Sequence, residues 1–557
     1  MDSADYVIVG AGSAGCVLAN RLSEDGKFTV CLLEAGPPDW NPYIHIPSGF
    51  MKLMNHPTYN WCYKSEPSEW TGGRAIPVPR GKTLGGSSSI NGNVFTRGNS
   101  TDYNTWAQFG NRGWGYADVL PYFKRYETKH GAGDDTYRGR KGELAVTDTD
   151  WHHPLCEAFI EGAVSVGIPR TSDYNGAAQE GVSYTQRTIF NKLRVSSARA
   201  FLAPARSRPN LRVVTQAHAT SLVIEGKRVT GIRYMKGGRK GTPRTLKANR
   251  EVILCSGVFN SAQLLQLSGI GDPQQLANVG IETRHALRGV GLNLRDHYAN
   301  RFTVRVKNAE TLNERAQGLK LIPEIAKWVL KRPSVLSLPA TSVYAFWRSN
   351  PDIANSDLQL SFVPASYELG RQAKLDSFPG MSIATWQQRP ESSGYVRLRS
   401  ADPFEMPIIQ PNYLDSEIDR AVVLAGMKTV RKILGTDAMA RYCDGEDFPG
   451  AHVRTDDELM ASIRERGTTT FHPAGSCKMG PASDPLAVVS DELRVHGLEG
   501  IRIADASIMP RMISANLNAA CLMIGEKASD IVRGRPAPEP VIESGLHDHM
   551  TRGGAAI

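Results

Sequence analysis

Gly10-Ala-Gly-Ser-Ala-Gly15 directly follows a short apolar run, Asp5–Val9, and opens a stretch of helical spacing from Ala14 to Leu22. A second apolar run, Thr29–Leu33, ends on Glu34, roughly twenty residues beyond the last of these glycines. Each position has a physical task. Gly10 permits a tight turn, Gly12 lets backbone approach a pyrophosphate, and Gly15 lets helix and strand pack closely. Ser13 and Ala14 begin the helix, whose free N–H groups and partial positive charge face phosphate. Glu34, followed by Ala35, can accept from both hydroxyls of a ribose and would repel a 2′-phosphate. Strand, glycine turn, helix, strand and acid in this order predict a dinucleotide site, but the motif alone does not choose FAD or NAD.

The segment Arg80-Gly-Lys-Thr-Leu-Gly-Gly-Ser-Ser-Ser-Ile-Asn-Gly-Asn-Val-Phe-Thr-Arg-Gly98 is the most unusual in the chain. Its glycines, serines and asparagines suit a backbone-lined cleft for a flat polar ring. Leu84, Ile90, Val94 and Phe95 punctuate it with buried-type side chains, which argues against a flexible linker. The segment strongly resembles the first signature of the glucose–methanol–choline (GMC) family of FAD-dependent oxidoreductases. Gly257–Gly271 is similar, more loosely, to the second signature, with Val258 and Ala262 departing from it. Val290-Gly-Leu-Asn-Leu-Arg-Asp-His297 resembles the family's VGxNLxDH. Phe471–Gly480 and Ile501–Pro510 complete the set, in the family's order.

The resemblance implies bound FAD. Gly10, Gly12, Ser13, Ala14, Gly15, Glu34 and Ala35 would hold its ADP half, with backbone near Ala219 meeting adenine. Gly85, Asn91, Gly92, Asn93 and Val94 would lie along the ribityl–isoalloxazine part. Asp505 and Ala506 would close over the pyrophosphate and ribityl region, with Asn518 near the pyrimidine edge. Some members attach FAD covalently through a histidine in the first signature. Ile90 occupies that position here, so non-covalent FAD is expected.

Moving hydride from an alcohol carbon requires the hydroxyl proton to leave, and histidine is the natural base near neutral pH. The chain has 13 histidines, so position decides. His152 and His153 precede a proline and read as loop; His547 and His549 fall in the C-terminal tail. By resemblance the catalytic histidine is His472 and its active-site partner is Asn516. An amide there can hydrogen-bond the substrate oxygen without competing for its proton. The step implied is proton abstraction by neutral His472 with hydride passing to flavin N5.

Motifs at both ends of the chain predict an α/β fold in which a Rossmann-type FAD-binding domain is interleaved with a smaller substrate domain of antiparallel sheet and helices. Residues 1–150, 190–300 and 480–533 are assigned to the first, 151–189 and 301–479 to the second, and 534–557 to a mobile tail. Strands are expected at Leu211–Thr215, Ser221–Glu225 and Val252–Cys255, and Gly394–Arg399 is read as a strand of the substrate-domain sheet. Residues 316–331 and Ala519–Val532 have helical spacing.

With 557 residues, 41% hydrophobic and 22% charged, the chain can bury a sizeable core. A net charge of +9 spread along the chain does not suggest a nucleic-acid partner. Eight cysteines form no metal-like spacing, so no metal is expected and the thiols read as reduced. Neither a standard signal peptide nor a spanning apolar run is evident, which suggests a cytoplasmic protein. The basic surface favours peripheral contact with the anionic inner membrane face, where a quinone acceptor resides. The oligomeric state is not legible. Choline-oxidising relatives carry an acidic residue where Ser342 falls here, although Trp61, Tyr344 or Phe471 offer cation–π faces for a trimethylammonium group. The expected substrate is therefore a neutral primary alcohol. Electrons pass to a quinone or other carrier, with an oxidase using O2 and a non-redox lyase of the same fold as alternatives.

Overall fold

The computed structural model describes residues 2–368 and 374–541. The tail assigned to 534–557 therefore lies mostly outside the described residues, as do His547 and His549. Along the chain come β1 (Ser3–Val9), α1 (Ser13–Ser23), β2 (Val30–Leu33), β3 (Gly181–Tyr184), β4 (Leu211–Val214), β5 (Ala217–Glu225), β6 (Arg228–Lys236), β7 (Thr242–Leu254) and α2 (Gly257–Leu267). They are followed by β8 (Tyr298–Val306), α3 (Leu321–Val329), β9 (Val343–Trp347), β10 (Leu358–Val363), β11 (Gly380–Gln387), α4 (Glu417–Leu434), β12 (Cys443–Phe448), β13 (Thr468–Thr469), β14 (Ile501–Ile503) and α5 (Asn518–Arg533). Smaller elements connect them.

The first sheet runs β4-β2-β1-β7-β6-β5, with β14 also on β7. Strands β4, β2, β1, β7 and β14 are mutually parallel, and the β7–β6–β5 meander is antiparallel. β1 and β2 are apolar along almost their whole length because a parallel sheet is covered on both faces. The long β7 gives its first half to β6 and its last residues, Val252–Leu254, to β14. One strand thus joins chain segments 250 residues apart, and α5 follows β14 to pack along α1.

The second sheet runs β12-β8-β11-β10-β9-β3, entirely antiparallel, with β13 also on β8. Helix α4 packs on it, burying Val422, Val423, Met427, Val430 and Ile433. Its other face looks toward the C-terminal ends of the first sheet's parallel strands. Crevices at such strand ends are where open α/β sheets bind ligands.

The fold class is the mixed α/β arrangement expected. Gly394–Arg397 is a strand, but it belongs to a separate three-stranded sheet with Leu292–Leu294 and Ile408–Gln410. Its alternation was visible; its partners, more distant in sequence, were not. The 316–331 prediction resolves into a short 3-10 turn, Gly318–Lys320, and α3.

Candidate active site

The cavity between the sheets has a volume of about 370 Å³. At one end lie Gly10, Gly12, Ser13, Ala14, Glu34, Ala35 and Ala219; along it run Asn91, Gly92, Asn93, Val94, Asp505, Ala506 and Asn518; His472 and Asn516 also line it. Gly15 and Gly85 do not line it. They shape its wall instead.

The wall demands glycine for steric reasons. Gly10 holds φ +104°, and a Cβ on Gly15 would sit 2.0 Å from the Gly10 carbonyl oxygen. A Cβ on Gly86 would stand 2.8 Å from Cα of Gly12, so the two glycine-rich segments meet backbone to backbone. Gly12 is the N-cap of α1 and supplies no side-chain cap, leaving the helix's first N–H groups to the cavity. The start of α5 joins them, since the Ser13 hydroxyl donates to Asn518 Oδ1 at 2.7 Å. Glu34 accepts from the Ala11 and Gly36 N–H groups at 2.9 and 2.8 Å, and burial lifts its carboxyl to about 7. It therefore fixes the turn as well as facing the cavity. Asp505 accepts from the Gly257 N–H and Ser261 hydroxyl, pinning the start of α2.

Arg194 was not singled out from sequence. Fully buried, it donates to the carbonyls of Ile44, Ser88 and Asn91 and to Asn91 Oδ1, clamping the serine-rich loop. Burial lowers its pKa to about 9. Asn93, at φ +61°, carries a buried Oδ1 without a protein partner beside the cavity. A phosphate-facing pair of helix starts, a ribose-compatible acid and an unpaired amide oxygen together fit a flavin dinucleotide. Ile90 has no nucleophilic atom for covalent attachment.

At the other end, the segment before His472 is tightly determined. Phe471 adopts φ +69°, a costly conformation for a non-glycine residue. Its N–H donates to Thr469 Oγ1 at 2.7 Å, its carbonyl accepts from Arg80, and the next N–H, of His472, donates to Asp296 Oδ1 at 2.9 Å. Asp296 is itself held by Tyr413 and Thr469. A bridge between Arg295 and Ala474 brings the VGLNLRDH segment alongside, and with it His297.

The hydrogen bonds fix one protonation pattern. His297 Nε2 lies 2.6 Å from the Gln388 carbonyl, which only accepts, so this nitrogen carries the proton. Its Nδ1 is then an acceptor, 3.0 Å from Nδ1 of His472. Thr470 Oγ1 also lies 2.8 Å from that atom. His472 therefore carries its proton on Nδ1 and leaves Nε2 bare. Asn516 agrees, because its Oδ1 accepts from Thr96 and Tyr344, turning Nδ2 to His472 Nε2 at 2.9 Å. Burial, with His297 and Arg80 beside it, pushes the His472 pKa well below the ordinary histidine value. Burial takes His297 down to about 4, against the pull of the Gln388 carbonyl. The site holds a neutral imidazole whose unprotonated Nε2 accepts from the Asn516 amide at the cavity wall.

The cross-strand register builds the rest of the compartment. Arg301, Ala384, Ser361 and Tyr344 stand in one row across β8, β11, β10 and β9, and Ala299 and Trp386 pair in the next row on the same face. All six line the cavity. Small Ala384 and Ser361 separate Arg301 from Tyr344 along that row. No ion pair among the described residues engages Arg301. Ser342 does not line the cavity. Trp61 and Phe471 line the cavity as well, and the Trp61 ring contacts Tyr63, His218 and Lys82.

All eight cysteines are free thiols, no metal-competent cluster of His, Cys, Asp or Glu occurs among the described residues, and no described helix is long and apolar enough to cross a membrane.

Because the His472 pKa is lowered, its base form persists as pH falls, so the acid limb of flavin reduction is expected well below the unperturbed histidine value of about 6.5. The same lowering has a stability cost. The unfolded chain binds protons at both histidines that the folded site resists, so stability falls as pH drops from about 6.5 toward the folded value of about 4 for His297. His297→Ala removes the acceptor that orients His472. The reduction rate should fall roughly 10- to 100-fold with FAD retained, and the acid limb should move. An unchanged rate and pH profile, followed by stopped-flow absorbance, would show that His297 does not position the base.

Residues 4–299 match the N-terminal domain and residues 390–525 the C-terminal domain of the GMC oxidoreductases. The chain is 43% identical over 532 residues to an oxygen-dependent choline dehydrogenase of Brucella ovis, covering 96% of each. It is 40% identical to the human mitochondrial choline dehydrogenase, covering 96% of this chain and 91% of that one. Among solved structures, pyridoxine 4-oxidase from Mesorbium loti superposes with a TM-score of 0.86 at 30% identity, over 96% of this chain and 99% of the other. An Aspergillus oryzae formate oxidase variant gives 0.88 at 26% identity, over 96% and 98%. With the two glycine-rich segments meeting in one cavity and matches spanning nearly the whole chain, this protein belongs to the GMC oxidoreductase family and is an FAD-dependent alcohol oxidoreductase.

Proposed function

We propose that the protein oxidises a primary alcohol lacking a cationic head group to the aldehyde, with His472 as the base and Asn516 as the oxygen-binding amide. The observation that carries this reading is the unprotonated Nε2 of His472, which accepts from Nδ2 of Asn516 at 2.9 Å. An alcohol oxygen that replaces this direct hydrogen bond donates its proton to Nε2 and accepts from Nδ2–H. Proton loss raises electron density on the oxygen and weakens the carbinol C–H bond. Bound FAD supplies the acceptor for the hydride that leaves. Residues Gly10–Gly15, Glu34, Asn91–Val94, Asp505, Ala506 and Asn518 would hold FAD. His297 and Thr470 keep the proton of His472 on Nδ1, and Tyr344 and Thr96 keep Asn516 from flipping.

Substrate charge follows from the row that contains Arg301. Relatives named for choline share over two-fifths of the sequence, yet the second-sheet side of this cavity presents Arg301 and no carboxylate. A trimethylammonium group entering there meets a cation. An uncharged chain or ring instead packs against Tyr344, Trp386 and Val94. That a structural relative at 30% identity is a pyridoxine oxidase is consistent with this preference. Electrons then pass to a quinone or another carrier. A second reading, oxygen as acceptor, is favoured by the oxygen-dependent and oxidase names of several relatives.

Anaerobic mixing with a panel of alcohols should bleach the visible flavin band, and reoxidation by air or only by added quinone divides the two acceptors. His472→Ala should slow bleaching by roughly 10²–10⁴ with FAD still bound. Unchanged bleaching would remove the assignment. Arg301→Glu should raise kcat/KM for choline relative to a neutral primary alcohol by about tenfold or more, given the close opposite charge gained and the like charge lost. An unaltered ratio would show that Arg301 does not set charge preference.

A further inference from the structure

We propose that α3 and its flanks, residues 318–333, form a docking surface for an anionic lipid bilayer. Ile322, Ile325, Ala326, Val329 and Leu330 recur at i, i+3, i+4, i+7 and i+8, the pattern that normally faces a core. Here that stripe faces water. Leu319 is 84% exposed, Ile322 60%, and Val329 and Leu330 65% each. Isolated exposed leucines are ordinary, but a continuous apolar stripe on one helix is not.

The helix is held in this orientation by its opposite face. Glu324 is buried there and accepts from Arg315 at 2.8 Å, Lys327 at 2.7 Å and the Val335 N–H at 3.0 Å. The Ser334 hydroxyl donates to the Glu324 carbonyl, and the Trp328 indole donates to the Lys192 carbonyl at 2.9 Å. Rotating the stripe inward would break all of these.

Charge identifies the occupant. Lys331 and Arg332 are exposed beside the stripe, Lys320 at its start is paired with Glu310 at 2.7 Å, and the only acid of this segment, Glu324, is turned inward among cations. An apolar face rimmed by lysine and arginine, with no exposed acid within the segment itself, is the composition of a helix lying in a lipid interface. A second copy docking face to face would oppose the same cations to each other, whereas anionic headgroups complement them. The chain beyond α3 packs Val335–Ser337 on Pro47–Gly49 and then supplies Ala340 and Thr341 to the cavity wall. Docking would therefore set the site beside the lipid phase in which a quinone moves. That benefit rests on the carrier-acceptor reading; the surface itself does not.

The test sediments the FAD-loaded protein with phosphatidylcholine vesicles, with and without phosphatidylglycerol. Binding is expected to require phosphatidylglycerol and to weaken as salt rises from about 0.1 to 0.5 M. The Ile322→Ser/Val329→Ser/Leu330→Ser variant should bind roughly 10²-fold more weakly, since several apolar side chains no longer enter the interface. Lys331→Glu with Arg332→Glu should cost roughly tenfold. Both variants should retain alcohol-dependent reduction of a soluble dye, which also shows that they fold. Equal vesicle binding by the triple variant would overturn the proposal. So would absence of vesicle binding together with a dimer, seen by sedimentation velocity, that the triple variant abolishes. Vesicle binding with no alcohol-driven dye reduction by the unsubstituted protein would support the surface while contradicting the proposed oxidation.

Discussion

A single lone pair organises this protein: the Nε2 of His472 must face the cavity unprotonated. Imidazole has two nitrogens and one proton to place, and the wrong tautomer would present N–H where a base is required. The structure resolves this with a directional chain of hydrogen bonds from the Gln388 carbonyl through His297 to His472, met from the other side by Asn516. Every link has one sensible donor. Reversing any of them leaves a carbonyl facing a lone pair or two N–H groups facing each other. Burial reinforces the arrangement by penalising the charged form of both rings.

Holding that chain requires both sheets. His297 and Tyr298 stand at the entry to the second sheet, and β13 pairs with β8 so that Thr469 and Thr470 lie beside them. Asn516 comes from the turn before α5, which the first sheet anchors through β14. The strained Phe471 between Thr469 and His472 is tolerated because Arg80, Asp296 and Thr469 each bind its immediate backbone. Arg80 belongs to the glycine-rich segment that walls the dinucleotide cavity. Cofactor cradle and base are thus built partly from the same residues, and a change that loosens one will be felt by the other.

Local sequence made part of this legible. The Gly10–Gly15 turn is readable because steric demands act between near neighbours, and β1 and β2 are readable because parallel strands are apolar on both faces. His472 and Asn516 emerged through motif resemblance, since neither residue's surroundings can be deduced from its neighbours. What stayed hidden depends on long-range register. His297 and His472 are 175 residues apart, and the row from Arg301 to Tyr344 exists only once four strands have paired. The Arg194 clamp is equally non-local. Periodicity marked 316–331 as helical, and helix forms over Gly318–Lys320 and Leu321–Val329, but periodicity cannot say which side of a helix the rest of the chain will cover.

The most direct test of the account is neutron diffraction from crystals of the FAD-loaded protein exchanged into heavy water. Deuterium density on Nδ1 of His472 and Nε2 of His297, with none on Nε2 of His472, is the predicted result. A deuteron on Nε2 of His472 at neutral pH, or an Asn516 amide turned to present its oxygen there, would contradict the assignment of this nitrogen as the base.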